Sequence, residues 1–257
     1  MSTPPEYSIS NSTRSKTFST IYLVRHGQTI GNSSRMFVHP SKEVLSPKGR
    51  IQANAAGKHL SHVKFDKVYA STLVRAKKTA KLILEHSNHP VDTGVITFDE
   101  RIKEVDYAIF RGQSYDEPQK IRGKNISESY PYKEFYVEGT EEIESVLLRL
   151  DSFWNELFET LDDAPTPETV LVVSHGMLIR ILMKYLKLSP EKFQVENFTS
   201  SLYTSYLKNT AYHKFQIERR RPMEKLDSGS KPRVIRFWET HKAPHLENLF
   251  PKKSEKQ

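Results

Sequence analysis

The 257-residue chain contains no cysteine, which excludes disulfides, thiolate metal sites and a cysteine nucleophile, and agrees with a reducing compartment. It also lacks an apolar run long enough to cross a bilayer, and its first residues carry no apolar signal core. A soluble, cytoplasmic protein without membrane association is therefore expected, with a nuclear location as the secondary reading. No internal repeat is visible, and the length suits a single α/β domain with a substantial core.

Acidic balance is missing as well, but unevenly. The formal charge is +8, and residues 219–257 hold eleven Lys or Arg against five Asp or Glu, so +6 of it lies in that stretch. The rest of the chain is nearly neutral. Basicity is thus a property of the tail, which argues against reading the whole chain as a nucleic-acid binder and leaves the tail as a candidate surface for some other partner.

What is present is organised around Ile21-Tyr22-Leu23-Val24-Arg25-His26-Gly27-Gln28-Thr29. The apolar, β-branched and aromatic run has the composition of a short buried strand, and it stops abruptly at an arginine, a histidine and a glycine. Open α/β sheets bind ligands beyond the carboxyl ends of such strands, where glycine permits close backbone approach and a following helix offers unpaired N–H groups to an anion. A second run, Val170-Leu171-Val172-Val173-Ser174-His175-Gly176, ends the same way. Two parallel strands with these endings would bring both imidazoles to one sheet edge.

Together with Tyr69-Ala70-Ser71-Thr72-Leu73-Val74-Arg75-Ala76, these stretches resemble, in order and from about residue 21 to 207, the histidine phosphatase superfamily with its phosphoglycerate-mutase-like fold. The resemblance implies a three-layer αβα sandwich, an α/β fold with a mostly parallel central sheet and helices on both faces. It implies His26 as the residue that accepts a phosphoryl group, with Arg25, Arg75 and His175 around the phosphate oxygens, and Glu104 as the proton donor and acceptor. Asn32, Gly176 and Thr29 are expected at the phosphate, with backbone N–H groups after Gly176 completing the cradle. No cofactor and no metal are expected. His59 and His62 sit three apart near a helix end, but no carboxylate-rich or His-rich partner segment accompanies them, so they read as solvent-facing side chains.

Three carboxylates compete for the role of the acid. Glu100, Glu104 and Asp106 crowd one stretch, and the choice of Glu104 rests on the resemblance. Ile102 stands where the family usually has leucine, and Ala108 and Arg111 replace a glycine and an acid in the loop that follows, so the substrate contacts of that loop depart from the family pattern.

Along the chain, residues 1–18 read as a disordered Ser/Thr/Pro-rich arm, 19–218 as the domain and 219–257 as a basic extension. Within the domain, Ser46-Pro47 opens a helix. Lys67 to Ala70 and Val95 to Phe98 are strands, with a helix capped by Ser71 or Thr72 between them. About 105–139 is a lid-like insertion, and Thr140 caps a long amphipathic helix. Leu202–Leu207 and Tyr212–Ile217 have the composition of a closing hairpin. The functional expectation is a phosphatase acting on phosphate monoesters of small metabolites, such as sugar phosphates, or a broad acid phosphatase. The alternatives are a mutase that returns the phosphoryl group to its substrate and a binding module using the basic tail. Met36-Phe37-Val38-His39 and Glu104-Val105-Asp106-Tyr107-Ala108 differ from the segments that cofactor-dependent mutases carry at those places, which favours the phosphatase. Arg35, Lys103 and Arg111 are candidates to meet a second phosphate.

Overall fold

The computed structural model describes residues 16–89, 96–220, 231–247 and 249. The proposed N-terminal arm lies almost wholly outside these residues. The apolar run before Arg25-His26 forms β1 (Phe18–Arg25), and the second histidine run forms β4 (Thr169–Ser174), paired to it in parallel with Arg25 opposite Ser174. Both strands therefore end at the same level of the sheet. His26 and His175 follow directly from that register.

Around this central pair the sheet has the order β3-β2-β4-β1-β6-β7-β5, with β2 (Lys67–Ser71) and β3 (Ile96–Asp99) on one flank. On the other flank are β5 (Phe193–Glu196), β6 (Tyr212–Glu218) and β7 (Arg233–Lys242). Neighbouring strands are parallel except at β1/β6 and β6/β7. The sheet is thus mixed but mostly parallel, as the sequence implied.

Helices cover both faces. On one, Ala56 and Leu60 of α2 (Pro47–Leu60) and Ala76, Ala80 and Ile83 of α3 (Val74–Leu84) pack on Tyr22, Val24, Leu171 and Val173. On the other, α5 (Ile143–Asp163) and α6 (Gly176–Leu188) bury their stripes against Ile21, Leu23, Val170 and Val172. The strand residues alternate between the two cores, as a period of two requires. In α5 the fully buried positions include Val146, Leu150, Phe153, Trp154, Leu157 and Leu161, each contributing about 1.5–3 kcal/mol of transfer free energy. Short helices α1 (Ile30–Ser34), α4 (Glu117–Ile121) and α7 (Ser201–Thr204) lie in the connections. Among the described residues, no helix is long and apolar enough to cross a membrane.

Helix starts follow the sequence in part. Ser46 Oγ accepts from Gly49 N at 3.0 Å with Pro47 at the first position, as expected. The cap of α3 is Leu73 rather than Ser71 or Thr72, and that of α5 is Glu142 rather than Thr140. Thr140 Oγ1 instead donates backwards to Val137 O, the local turn bond with which threonine competes against capping.

Two larger expectations are corrected. Leu202–Leu207 is no strand: Ser201–Thr204 forms α7, with Tyr203 and Thr204 donating to Ser200 O and Leu202 inserted into the core beside α6. The hairpin partner of β6 is β7, which lies inside the presumed basic extension. Its apolar residues Val234, Ile235 and Phe237 are buried, and Arg233 makes two bonds of 2.9 and 2.8 Å to the Asp162 carboxylate at the end of α5. With both side chains nearly inaccessible, loss of one partner would leave a buried charge, a cost of about 3–5 kcal/mol. A boundary at 218/219 therefore cuts the sheet.

Candidate active site

Beyond the carboxyl ends of β1, β2 and β4 lies a cavity of about 690 Å³ lined by Arg25, His26, Asn32, Arg75, Glu104 and Gly176. Register brings the first two and Gly176 together, and α3 supplies Arg75 from its first turn. Gly176 is favoured here by close approach rather than by φ. A Cβ on it would stand 3.1 Å from Arg25 Nε, a tight contact that would push the guanidinium back from the start of α6 by a few tenths of an ångström.

His26 is buried and its tautomer follows from its neighbours. Nδ1 lies 2.7 Å from Gly27 O, a pure acceptor, so Nδ1 carries the proton and donates. Nε2 then has a lone pair, which accepts from Arg75 Nε at 3.3 Å. Burial, followed by the Arg75 and Arg25 charges, pushes this imidazole well below the ordinary histidine range. His175 lies with its ring centroid 5.0 Å from that of His26, and its pKa is lowered in the same way, by burial first and then by Arg75, His26 and Arg25. A neutral, fixed imidazole with an unprotonated Nε2 inside a cationic pocket is the state a nitrogen nucleophile needs.

Polar atoms with no hydrogen-bond partner converge on the same place. They include Arg25 Nε and both ring nitrogens of His175. Most buried polar groups are satisfied, so several together mark a site for a polar ligand. Six cationic side chains against three carboxylates line the cavity, which fixes the sign of that ligand as negative.

Glu104 is set apart from the other two carboxylates by its partners. Its Oε1 accepts from Leu178 N at 3.0 Å and its Oε2 from Met177 N at 3.2 Å, so it closes the N-terminus of α6 directly beside His175. Glu100 is turned outward against Lys103, and Asp106 pairs with Arg111 at the rim. One expectation falls with this geometry. The N–H groups after Gly176 are taken by Glu104, because a carboxylate within reach of a helix N-terminus satisfies its orphan donors.

Thr29 is also corrected. It is fully buried, accepts from Asn32 N at 3.0 Å as the cap of α1, and gives its hydroxyl to Glu43. Its role is to hold the loop, not to touch a ligand. Asn32 does line the cavity, with Nδ2 on Tyr115 OH at 3.1 Å and Oδ1 accepting from Asn209. The neighbouring Gln28 accepts from Ser46 Oγ and points away. His59 is not simply solvent-facing: its Nε2 lies 3.3 Å from Tyr212 OH.

Arg35, Lys103 and Arg111 all stand at the mouth, each in an ion pair with Asp116, Glu100 and Asp106 respectively. The insertion is tied down as a wall of the cavity: Phe37 N donates to Gln113 O and Gly112 N to Phe37 O, while Phe37 stacks on Tyr107 at 5.2 Å. Burial pushes the Tyr107 hydroxyl up to about 12.

Glu43, Asn209 and Tyr115 escaped the sequence reading. Glu43 Oε2 lies 3.3 Å from an Arg75 terminal nitrogen, and Asn209 Nδ2 donates to His26 O at 3.0 Å. Neither residue sits in a motif, and each gains meaning only from a partner distant in sequence.

The chain is similar to proteins of known name over most of its length. It is 31% identical over 187 residues to a 2,3-bisphosphoglycerate-dependent phosphoglycerate mutase of Bartonella bacilliformis, covering 71% of this chain and 89% of that protein. It is 32% identical over 157 residues to the fructose-2,6-bisphosphatase TIGAR of Xenopus tropicalis, covering 60% of this chain and 56% of the relative. Among solved structures, a mycobacterial glucosyl-3-phosphoglycerate phosphatase superposes with a TM-score of 0.61 at 21% identity, over 86% of this chain and 97% of the other, a likeness of fold. The model of the histidine phosphatase superfamily, branch 1, matches residues 21–220, and with the paired His-Gly strand ends in one cationic cavity this places the chain in that superfamily.

Proposed function

We propose that the protein is a phosphatase that hydrolyses phosphate monoesters of small metabolites through a phosphohistidine. The observation that carries this reading is the fixed His26 tautomer, whose Nε2 lone pair, held by Arg75 Nε, lies in one cluster with the unpartnered Arg25 Nε and His175 ring nitrogens. In the first step Nε2 attacks phosphorus, the ester P–O bond breaks, and the leaving oxygen takes a proton from Glu104. In the second, water attacks the phosphohistidine, gives a proton to Glu104 and releases orthophosphate, returning His26 to its starting form. Arg25, Arg75 and His175 hold the charge of the transferring group, and Asn32 has a second amide N–H to offer it.

The family includes both hydrolases and mutases, as the named relatives illustrate. The residues at 36–39 and 104–108 support transfer to water. The test is a panel of phosphorylated metabolites, sugar phosphates and bisphosphates foremost, with orthophosphate release followed in the presence of a chelator. Phosphate release from at least one member supports the reading. Isomerisation of a phosphoglycerate without phosphate release overturns it in favour of a mutase.

A further inference from the structure

The turn between α7 and β6 holds the nucleophile's backbone in an unusual way. Thr210, fully buried, has φ +60, a conformation that β-branched residues rarely adopt and that persists only when the surroundings over-determine it. Its N–H donates to Arg25 O at 2.9 Å and to His26 O at 3.3 Å, and Asn209 Nδ2 adds a further bond to His26 O. The strained turn is therefore the clamp on the two residues that carry the chemistry.

What holds the turn comes from beyond the family-matched segment, which ends at residue 220. The chain turns at His241, φ +53, at the end of β7 and delivers the short helical turn Pro244–Leu246 against α2. There His245 Nε2 meets Thr210 Oγ1 at 2.9 Å, while the Thr210 hydroxyl donates to Asn209 O at 2.7 Å. The hydroxyl has one proton, so the imidazole must supply the other, from Nε2–H. His245 Nδ1 is buried without a partner, as fits the neutral ring with its proton on Nε2, and the ring packs 5.9 Å from that of His59.

We propose that His245, acting through Thr210, is a positioning residue for His26: a hydrogen-bonded relay from the C-terminal segment fixes the backbone that carries the nucleophilic imidazole. The proposal rests on the reading of His26 as nucleophile. In-line attack is sensitive to misplacement of well under 1 Å, and relaxation of Thr210 out of the left-handed region would move His26 O and with it the ring.

The test compares wild type with His245→Ala, His245→Gln and Thr210→Val. Glutamine can donate an amide N–H to Thr210 Oγ1, and valine removes the hydroxyl without touching the C-terminal segment. Phosphoenzyme formation from p-nitrophenyl phosphate is measured in single turnover, KM in steady state, and the His26 ring-nitrogen resonances by NMR. His245→Ala and Thr210→Val are expected to slow phosphoenzyme formation roughly tenfold with KM nearly unchanged and to shift the His26 resonances, while His245→Gln recovers most of the loss. If His245→Ala does not fold, Thr210→Val decides. Unchanged rates and resonances overturn the proposal, as does a loss that glutamine does not rescue and that follows melting temperature alone. If the wild-type protein forms no phosphoenzyme, the nucleophile reading fails, and the His26 resonances alone decide whether the relay positions the ring.

Discussion

Arg75 Nε donates to His26 Nε2 at 3.3 Å, so the lone pair assigned to attack phosphorus is held in the ligand-free molecule by the cation assigned to bind the phosphate. Substrate has to separate the two. As phosphate oxygens take the guanidinium, Nε2 is released to face the phosphorus, and binding and activation become one event. Arg75→Lys should therefore lose more than charge, because an ammonium lacks the planar fork that serves both partners. The expected result is a fall of about 10²-fold or more in kcat/KM, measured on p-nitrophenyl phosphate. Near-wild-type activity would mean that Arg75 acts only as a point charge.

His26→Ala should abolish turnover, because of the two imidazoles in this cationic surround only His26 has its tautomer fixed, by Nδ1 on Gly27 O, while the ring nitrogens of His175 have no partner to fix theirs. Label from substrate, trapped by alkaline quench of the wild-type protein, should be stable in base and lost in acid, as a phosphoramidate is. Activity of a tenth or more in the variant, or label with the opposite stability, would move the phosphoryl acceptor elsewhere.

Glu43 places a carboxylate beside the phosphate-binding Arg75, with both side chains largely buried. It orients the guanidinium but also offsets part of its charge. Unit charges about 8 Å apart at an effective dielectric of about 20 repel by roughly 2 kcal/mol, so Glu43→Gln should tighten inhibition by orthophosphate up to about thirtyfold. A weaker inhibition constant would show orientation to be the larger effect.

The site was legible where chemistry and local pattern coincide. Each His-Gly closes an apolar run, and the strand register that unites them follows from burying both runs side by side. Thr29 was misplaced because the same hydroxyl that could meet a phosphate also caps a helix, and burial decided for the cap. The strand β7 was hidden by Arg233, Arg236 and His241, which blur its alternation. Arg233 is nonetheless buried by its pairing with Asp162, some seventy residues earlier, which no local reading reveals. For the same reason Glu43, Asn209 and His245 carried no signal.

Buried histidines set the acid limit of stability. His26, His175 and His213 are nearly inaccessible, and burial lowers all three, His213 to about 3. Their unfolded-state value is near 6.5, so below that pH the unfolded chain binds protons that the folded one refuses, and stability falls as pH falls. Above about pH 7.5 the three contribute almost no slope. Three such groups cost up to about 4 kcal/mol per pH unit, a decline that begins before carboxylates titrate. Urea melts between pH 7.5 and 5 should show it, and a flat midpoint across that range would mean these imidazoles protonate freely in the fold.

Glu104 poses the sharpest test, since its carboxylate both faces the cavity and closes α6. As proton donor it matters most for a poor leaving group. A sugar alkoxide needs the proton, whereas p-nitrophenolate, with a leaving-group pKa of roughly 7, departs with little help, and general acid catalysis is worth about 10² to 10⁴ in rate. Glu104→Gln should slow phosphoenzyme formation from a sugar phosphate far more than from p-nitrophenyl phosphate. Single turnover is needed, because the same group also assists dephosphorylation. The substitution carries a structural cost as well: the amide NH₂ turns a donor toward Met177 N or Leu178 N, leaving one N–H unpaired at about 1–3 kcal/mol. A fall in melting temperature is therefore expected beside the kinetic effect, but that fall is blind to the leaving group. Equal slowing for both substrates would assign Glu104 to holding α6 alone, and a leaving-group-selective defect in Asp106→Asn instead would move the proton to the rim.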